Sequence, residues 1–256
     1  MNIFLINLPF AQKIVIFVSI LNVINAVKII PDDVVQCKFE DASCLLKSFN
    51  HVTKTHAATG IPELNVVPFD PLRIDTLKVE KNTNSPVNIE LNFADVYILG
   101  LQKAKFTKIN GFDAELKKDI EIHATVSNST LKGTYTIDGT VLILPIVGKG
   151  NSELILYDLL IMLKIRPKAI IKDGHKYFTV GSIKLKMLPK RVSFNLENLF
   201  SGDKVLSETM NTFINENGSD IFKELEPKFS AALAKVVVRF INATFSKYPF
   251  QEYFLK

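Results

Sequence analysis

Residues able to do chemistry are few and far apart in this chain. The four histidines, His51, His56, His123 and His175, fall in no HExxH or GxSxG frame and beside no carboxylate cluster with metal spacing. Spacing therefore assembles neither a metal site nor a nucleophile with its base. Gly148-Lys149-Gly150 has the look of a phosphate loop, but it lacks the upstream glycine and the following Ser or Thr, and it reads as a hairpin turn. Asp70, directly before Pro71, reads as a turn or connector residue, and His56 as a packed or surface histidine. Catalysis and a resident cofactor or metal are not expected. Cys37 and Cys44 are the only two cysteines. Two thiols with no nearby histidine fall short of a four-ligand site. In an oxidising compartment they pair instead, closing a short loop worth about 2.5 kcal/mol in the chain-entropy picture. Asn128, Asn217 and Asn242 each head an N-x-[ST] sequon, which agrees with such a compartment.

The address is written at the start. Residues 1–26 hold no acidic residue and one lysine, Lys13, ahead of the apolar run Ile14–Leu21 and the small Ala26. This reads as a secretory signal peptide cleaved near Ala26, with an uncleaved anchor as the competing reading. The remaining residues, 27–256, read as one domain, secreted, extracellular and monomeric. The net charge of +5 over the full sequence, one less without Lys13, is too mild and too dispersed to argue nucleic acid. A hydrophobic fraction of 47% against 22% charged residues belongs to a folded protein with a sizeable core.

The elements that would build such a core are legible by period. From Ser219 to Lys247, apolar residues recur at spacings of three and four, with Phe222, Phe229, Leu233 and Val236 on one face and Lys228, Lys235 and Asn242 on the other. The spacing predicts a long amphipathic helix with a kink or break at Pro227. A second helix is predicted from Ala42 to about Thr59, capped by Asp41 and ended by Gly60. Between them the period is two. Val87, Ile89, Leu91 and Phe93 alternate with polar residues, as do Phe112 to Val126 and Leu131 to Ile137. Asn110-Gly111, Asp138-Gly139 and Asp173-Gly174 mark hairpin turns, and the run Leu154–Leu163, apolar on both sides, reads as a central strand. Long antiparallel strands with one dry face need a cover. The economical arrangement is an α+β fold in which a curved antiparallel sheet wraps the long C-terminal helix.

Three stretches carry a resemblance. GIPELNVVPFDPL (60–72), YTIDGTVLILPIVGKG (135–150) and NLFSGDKVLSETMNTFINEN (198–217), with the early cysteine pair and the closing YPFQEYF, resemble the signatures of the insect takeout / juvenile hormone binding protein family. They occur in the family's order and cover essentially the whole mature chain. One departure is Gly218, where the family commonly has a Trp. The resemblance implies a strongly curved sheet around the long helix, a disulfide near the N-terminus, and an apolar tunnel carrying a small lipophilic ligand. A terpenoid such as juvenile hormone and a fatty-acid-like molecule are both compatible with it. Burying ~400 Å² of such a ligand yields on the order of 10 kcal/mol before ordering costs, so little polar chemistry is needed.

Alternation and helical phase then nominate the lining: Leu91, Phe93, Ile120, Ile122, Tyr135, Phe194, Phe222, Phe229 and Leu233, with the N-terminal helix closing one end. Tyr135 is the nominated orienting group, its phenol meeting either a ligand's polar tip or a backbone carbonyl. The alternative is an extracellular interaction or membrane-surface protein with a collapsed core and no ligand. Its best feature is the basic run Lys184, Lys186, Lys190 and Arg191, which a solvated strand face explains equally well.

Overall fold

The computed structural model describes residues 29–255. The signal-peptide expectation for residues 1–26 lies outside them. Asp41 caps helix α1 (Ala42–His56), its carboxylate accepting from the Cys44 amide at 2.9 Å. Seven strands follow: β1 (Leu72–Val79), β2 (Val87–Leu99), β3 (Lys105–Asn110), β4 (Ile120–Val141), β5 (Leu144–Lys172), β6 (His175–Leu188) and β7 (Arg191–Leu196). Helices α2 (Lys204–Glu216) and α3 (Gly218–Phe245) complete the chain. The sheet is antiparallel throughout, in the order β1-β2-β4-β5-β6, with β3 added to the first part of β4 and β7 to the first part of β5. The doubly apolar run 154–163 lies in β5, which pairs with β4, β6 and β7.

Helix α3 packs against β1, β2, β6 and β7, so the sheet curls round it. Phe222, Phe229, Leu233 and Val236 are buried on that inner side. Bonds as well as packing hold the sheet to its helices. On α2, Asn211 accepts from the Leu196 amide at 3.0 Å and donates to the Leu196 carbonyl at 2.9 Å. One turn on, Asn215 does the same for Phe194, at 2.9 and 2.7 Å. On α3, Glu226 accepts from the Met187 amide and Asn242 from the Val180 amide, both at 2.9 Å. These are the backbone groups that a strand edge leaves unpaired.

Several expectations are corrected. Of the kink or break expected at Pro227, the break is absent, since helix α3 runs through it. Pro227 and Lys223 both lie on its exposed side, where water can take the carbonyl that loses its bond. Asn242 does not face open solvent, because its amide oxygen is spent on Val180 and on the Thr179 hydroxyl, the latter at 3.1 Å. The alternating residues 112–118 form a turn, not a strand. The buried Asp113 carboxylate gathers the amides of Lys117 and Lys118 at 3.1 and 2.9 Å. Asp173-Gly174 is a hairpin turn with both residues at positive φ, but Asp138-Gly139 lies inside β4. Gly148-Lys149-Gly150 lies inside β5, where side chains would strike the crossing segment 197–199: a Cβ on Gly150 would sit 2.6 Å from the Glu197 carbonyl oxygen. Gly218 sits against the Val192 carbonyl, which a Cβ would approach to 2.8 Å.

Two predictions follow from the bonded edges and the buried face. Asn211→Ala removes both partners of Leu196 at a half-buried site and should cost about 1–3 kcal/mol, read as a lower urea midpoint at unchanged slope. Asn215→Ala, at an exposed position where water can substitute, should cost less. A smaller loss at Asn211 than at Asn215 would mean that the amide pairs do not hold this edge. Leu233→Asp places an unpaired charge in an apolar contact and should sharply lower the melting temperature; a parent-like melt would show that the inner face is wrongly assigned.

Candidate functional site

The interior divides along α3 into three stretches. At its C-terminal end aromatic rings fill the space. Phe39 stacks on Phe254 at 4.2 Å, Phe178 lies 4.8 Å from Phe245, and Phe49 meets Phe106 edge-on at 5.4 Å. Leu45, Leu46 and Phe49 of α1 belong to this cluster, so α1 and the C-terminal turn Phe250–Tyr253 close that end together. The Cys37–Cys44 disulfide ties α1 to the segment entering it, and the Leu255 amide donates to the Cys37 carbonyl at 2.8 Å.

The other two stretches contain cavities. The first, about 30 Å³, lies at the start of α3 among Leu91, Phe93, Ile137, Phe194, Phe222 and Phe229. The second, about 140 Å³, lies midway along α3 among residues of β1, β2, β4, β5 and β6, with Leu233, Val236 and Val237 as its helical wall. Phe229 and Leu154 line both. Phe229 is buried, 6.5 Å from Phe93 and 5.9 Å from Phe222 ring to ring, both edge-on. These contacts hold the ring between the two cavities, which are called chambers below.

The nominated lining residues separate accordingly. Leu91, Phe93, Phe194 and Phe222 line the first chamber, Leu233 the second, and Phe229 both. Ile120 and Ile122 do not line either chamber; they pack in the aromatic end with Phe112, Phe178 and Phe250. Tyr135 is buried beside the first chamber but does not line it, and its hydroxyl donates to the Glu197 carbonyl at 2.8 Å. Burial, with the Glu197 charge adding, pushes its phenol up to about 12. The backbone-carbonyl reading of Tyr135 is the one observed.

Residues that periodicity missed are mostly in the second chamber: Leu72, Ile74, Ser129, Leu156, Leu185 and Met187. A reversal of facing hides some of them. On β4 the buried residues are even-numbered from Ile120 to Val126, then odd-numbered at Ser129, Leu131 and Tyr135. Strand β2 reverses at Asp95, and β5 reverses at Asp158, each residue at positive φ. The signal was present as the change of parity between Val126 and Leu131.

Surface features are accounted for locally. Lys190 lies 3.7 Å from Asp158, and the Arg191 guanidinium sits 3.7 Å above the Tyr157 ring. Of the sequon asparagines, Asn128 is exposed, whereas Asn217 donates to the Phe213 carbonyl at 2.9 Å. Asp70 accepts from the amides of Gly100 and Gln102 at 3.0 and 2.8 Å, a connector role.

Comparison with known proteins places this arrangement. The family model for haemolymph juvenile hormone binding protein matches residues 14–255. The circadian clock-controlled protein daywake of Drosophila melanogaster is 28% identical over 234 residues, covering 88% of each chain. Its counterpart in Drosophila yakuba is 25% identical over 236 residues, covering 90% of each. The crystal structure of Epiphyas postvittana Takeout 1 superposes with a TM-score of 0.72 at 28% identity, covering 86% of this chain and 98% of that one. With a family model spanning nearly its whole length and a curved sheet wrapped on a long C-terminal helix, the chain belongs to the haemolymph juvenile hormone binding protein family.

Proposed function

We propose that this protein is a secreted, non-enzymatic carrier of a small lipophilic ligand, held in the two chambers along α3. The observation that carries the reading is the pair of cavities along α3: lining side chains from sheet and helix that are almost wholly apolar, inside a fold whose family is that of a hormone-binding protein. Membership extends the lipophilic-carrier reading to this chain, while the ligand, terpenoid or fatty-acid-like, is left open by it. The disulfide and the exposed Asn128 sequon support an extracellular setting. A signal peptide over 1–26 and a single, monomeric ligand-binding domain over 27–256 complete the proposal. No cofactor and no nucleic acid enter it.

Two measurements test it. A neutral environment-sensitive dye such as N-phenyl-1-naphthylamine should be taken up saturably at one site per chain. An interaction protein with a collapsed core would show only weak, unsaturable fluorescence, and that outcome would defeat the carrier reading. Displacement of the dye by 1-alkanols of eight to sixteen carbons should then report whether Phe229 divides the chambers. Phe229→Ala joins the chambers and should raise the affinity of the sixteen-carbon alcohol relative to the eight-carbon one. The truncation itself costs about 3–5 kcal/mol of stability, so Phe229→Leu is the milder companion. An unchanged length profile in both variants would show that Phe229 does not divide the channel.

A further inference from the structure

Among the described residues four serines are buried: Ser48, Ser129, Ser152 and Ser230. Three have spent their hydroxyls. Ser48 donates to the Val35 carbonyl at 2.7 Å, Ser152 to the Gly133 carbonyl at 3.0 Å, and Ser230 to the Glu226 carboxylate at 2.7 Å. Ser129 is 5% exposed, and among the described residues its hydroxyl has no hydrogen-bond partner. It lines the second chamber, on the same face of β4 as Leu131 and opposite Leu156 of β5, both of which also line it. Every other side chain in that lining is apolar. A strand position facing an apolar core is ordinarily filled by an aliphatic residue, so a serine in this wall is the exception.

Building on the carrier reading, we propose that Ser129 is the polar anchor of the second chamber, and that the ligand presents to it a neutral oxygen, a hydroxyl or carbonyl, rather than a carboxylate. The chemistry of the lining decides the class. A serine hydroxyl can donate one hydrogen bond and accept others, which suits an uncharged oxygen on an otherwise apolar molecule. An ionised carboxylate would need a cation to offset its desolvation, and no Lys, Arg or His lines the chamber. Size sets a further limit. At about 140 Å³ the chamber matches the roughly 150 Å³ apolar cavity that takes up benzene, so the anchored portion is a ring or a short branched segment. A longer tail must pass Phe229.

The test uses three ligands of that size, benzyl alcohol, ethylbenzene and benzoate, titrated calorimetrically at pH 7 into the parent, Ser129→Ala and Ser129→Thr. Neither substitution removes the sequon Asn128-Ser129-Thr130, whose outer two residues are unchanged. Ser129→Ala should weaken benzyl alcohol about two- to tenfold and leave ethylbenzene within about twofold. It should melt no lower than the parent, since it removes an unpaired hydroxyl. Ser129→Thr, which keeps a hydroxyl, should keep the preference for the alcohol, and benzoate should not bind the parent measurably. Equal changes for the alcohol and the hydrocarbon, no change for either, or benzoate binding as well as the alcohol would each overturn the assignment of Ser129. If none of the three binds a parent that takes up the naphthylamine dye saturably, the anchor fails while the carrier reading stands; if the dye is not taken up either, both fail.

Discussion

The structure depends on closing the open edges of a curved sheet. Strand edges present unpaired amides and carbonyls, and inside a protein these must find partners. Here the partners are helix side chains, and the arithmetic of the two secondary structures makes them fit. Glu226 and Asn242 are sixteen residues apart on α3, about 24 Å along a helix. Their partners, Met187 and Val180, are seven residues apart on β6, about 23 Å along a strand. The same match recurs in miniature on α2, where Asn211 and Asn215, one turn apart, meet Leu196 and Phe194, two residues apart on β7. Each helix is thereby held parallel to an edge at both points. Its inner face is then fixed relative to the sheet independently of how well the side chains between them pack.

That independence bears on how differently the two ends of the interior are packed. Around the C-terminal end of α3, phenylalanines from separate segments stack and tilt against one another, and the disulfide holds the entering segment there. Midway along α3 the lining changes to Leu, Ile, Val and Met, with Phe229 as the one ring. Phe229, supported edge-on by Phe93 and Phe222, lines both cavities and has space on either side.

Much of this was legible in the sequence, and the failures have a common cause. Period and phase predicted α1, the inner face of α3 and the antiparallel sheet, because burial on one face imposes them directly. Side-chain spending of backbone edges was not legible. Asn242 carries an outward helical phase, yet its amide is bound to Val180, and nothing in a spacing of seven distinguishes a solvated Asn from one facing a strand edge. Tyr135 was read in the correct dry phase, but a crossing segment at Glu197, distant in sequence, decided its hydroxyl. Ile120 and Ile122 were assigned to the channel because residues 112–126 and 131–137 were read as separate strands. They belong to one 22-residue strand, or to the turn before it, and its facing reverses between Val126 and Ser129. On β4 the reversal separates Ile120 and Ile122, packed into the aromatic end, from Ser129 and Leu131, which line the second chamber.

The second chamber has an energetic consequence for binding. An apolar void of about 140 Å³ costs a fold about 3 kcal/mol at roughly 24 cal/mol per Å³, mainly as contacts that its walls do not make. A helix free to move would recover part of that by settling inward. Helix α3 cannot do so without breaking the bonds from Glu226 and Asn242 to β6, and each of those would leave an amide unpaired. The edge bonds therefore keep the lost contacts available to whatever enters. A ligand that fills the chamber gains them without deforming the sheet, and it gains them along with the free energy of leaving water. Shape selectivity then follows from a wall that does not yield. Chemical selectivity within that shape falls to the one hydroxyl in the lining.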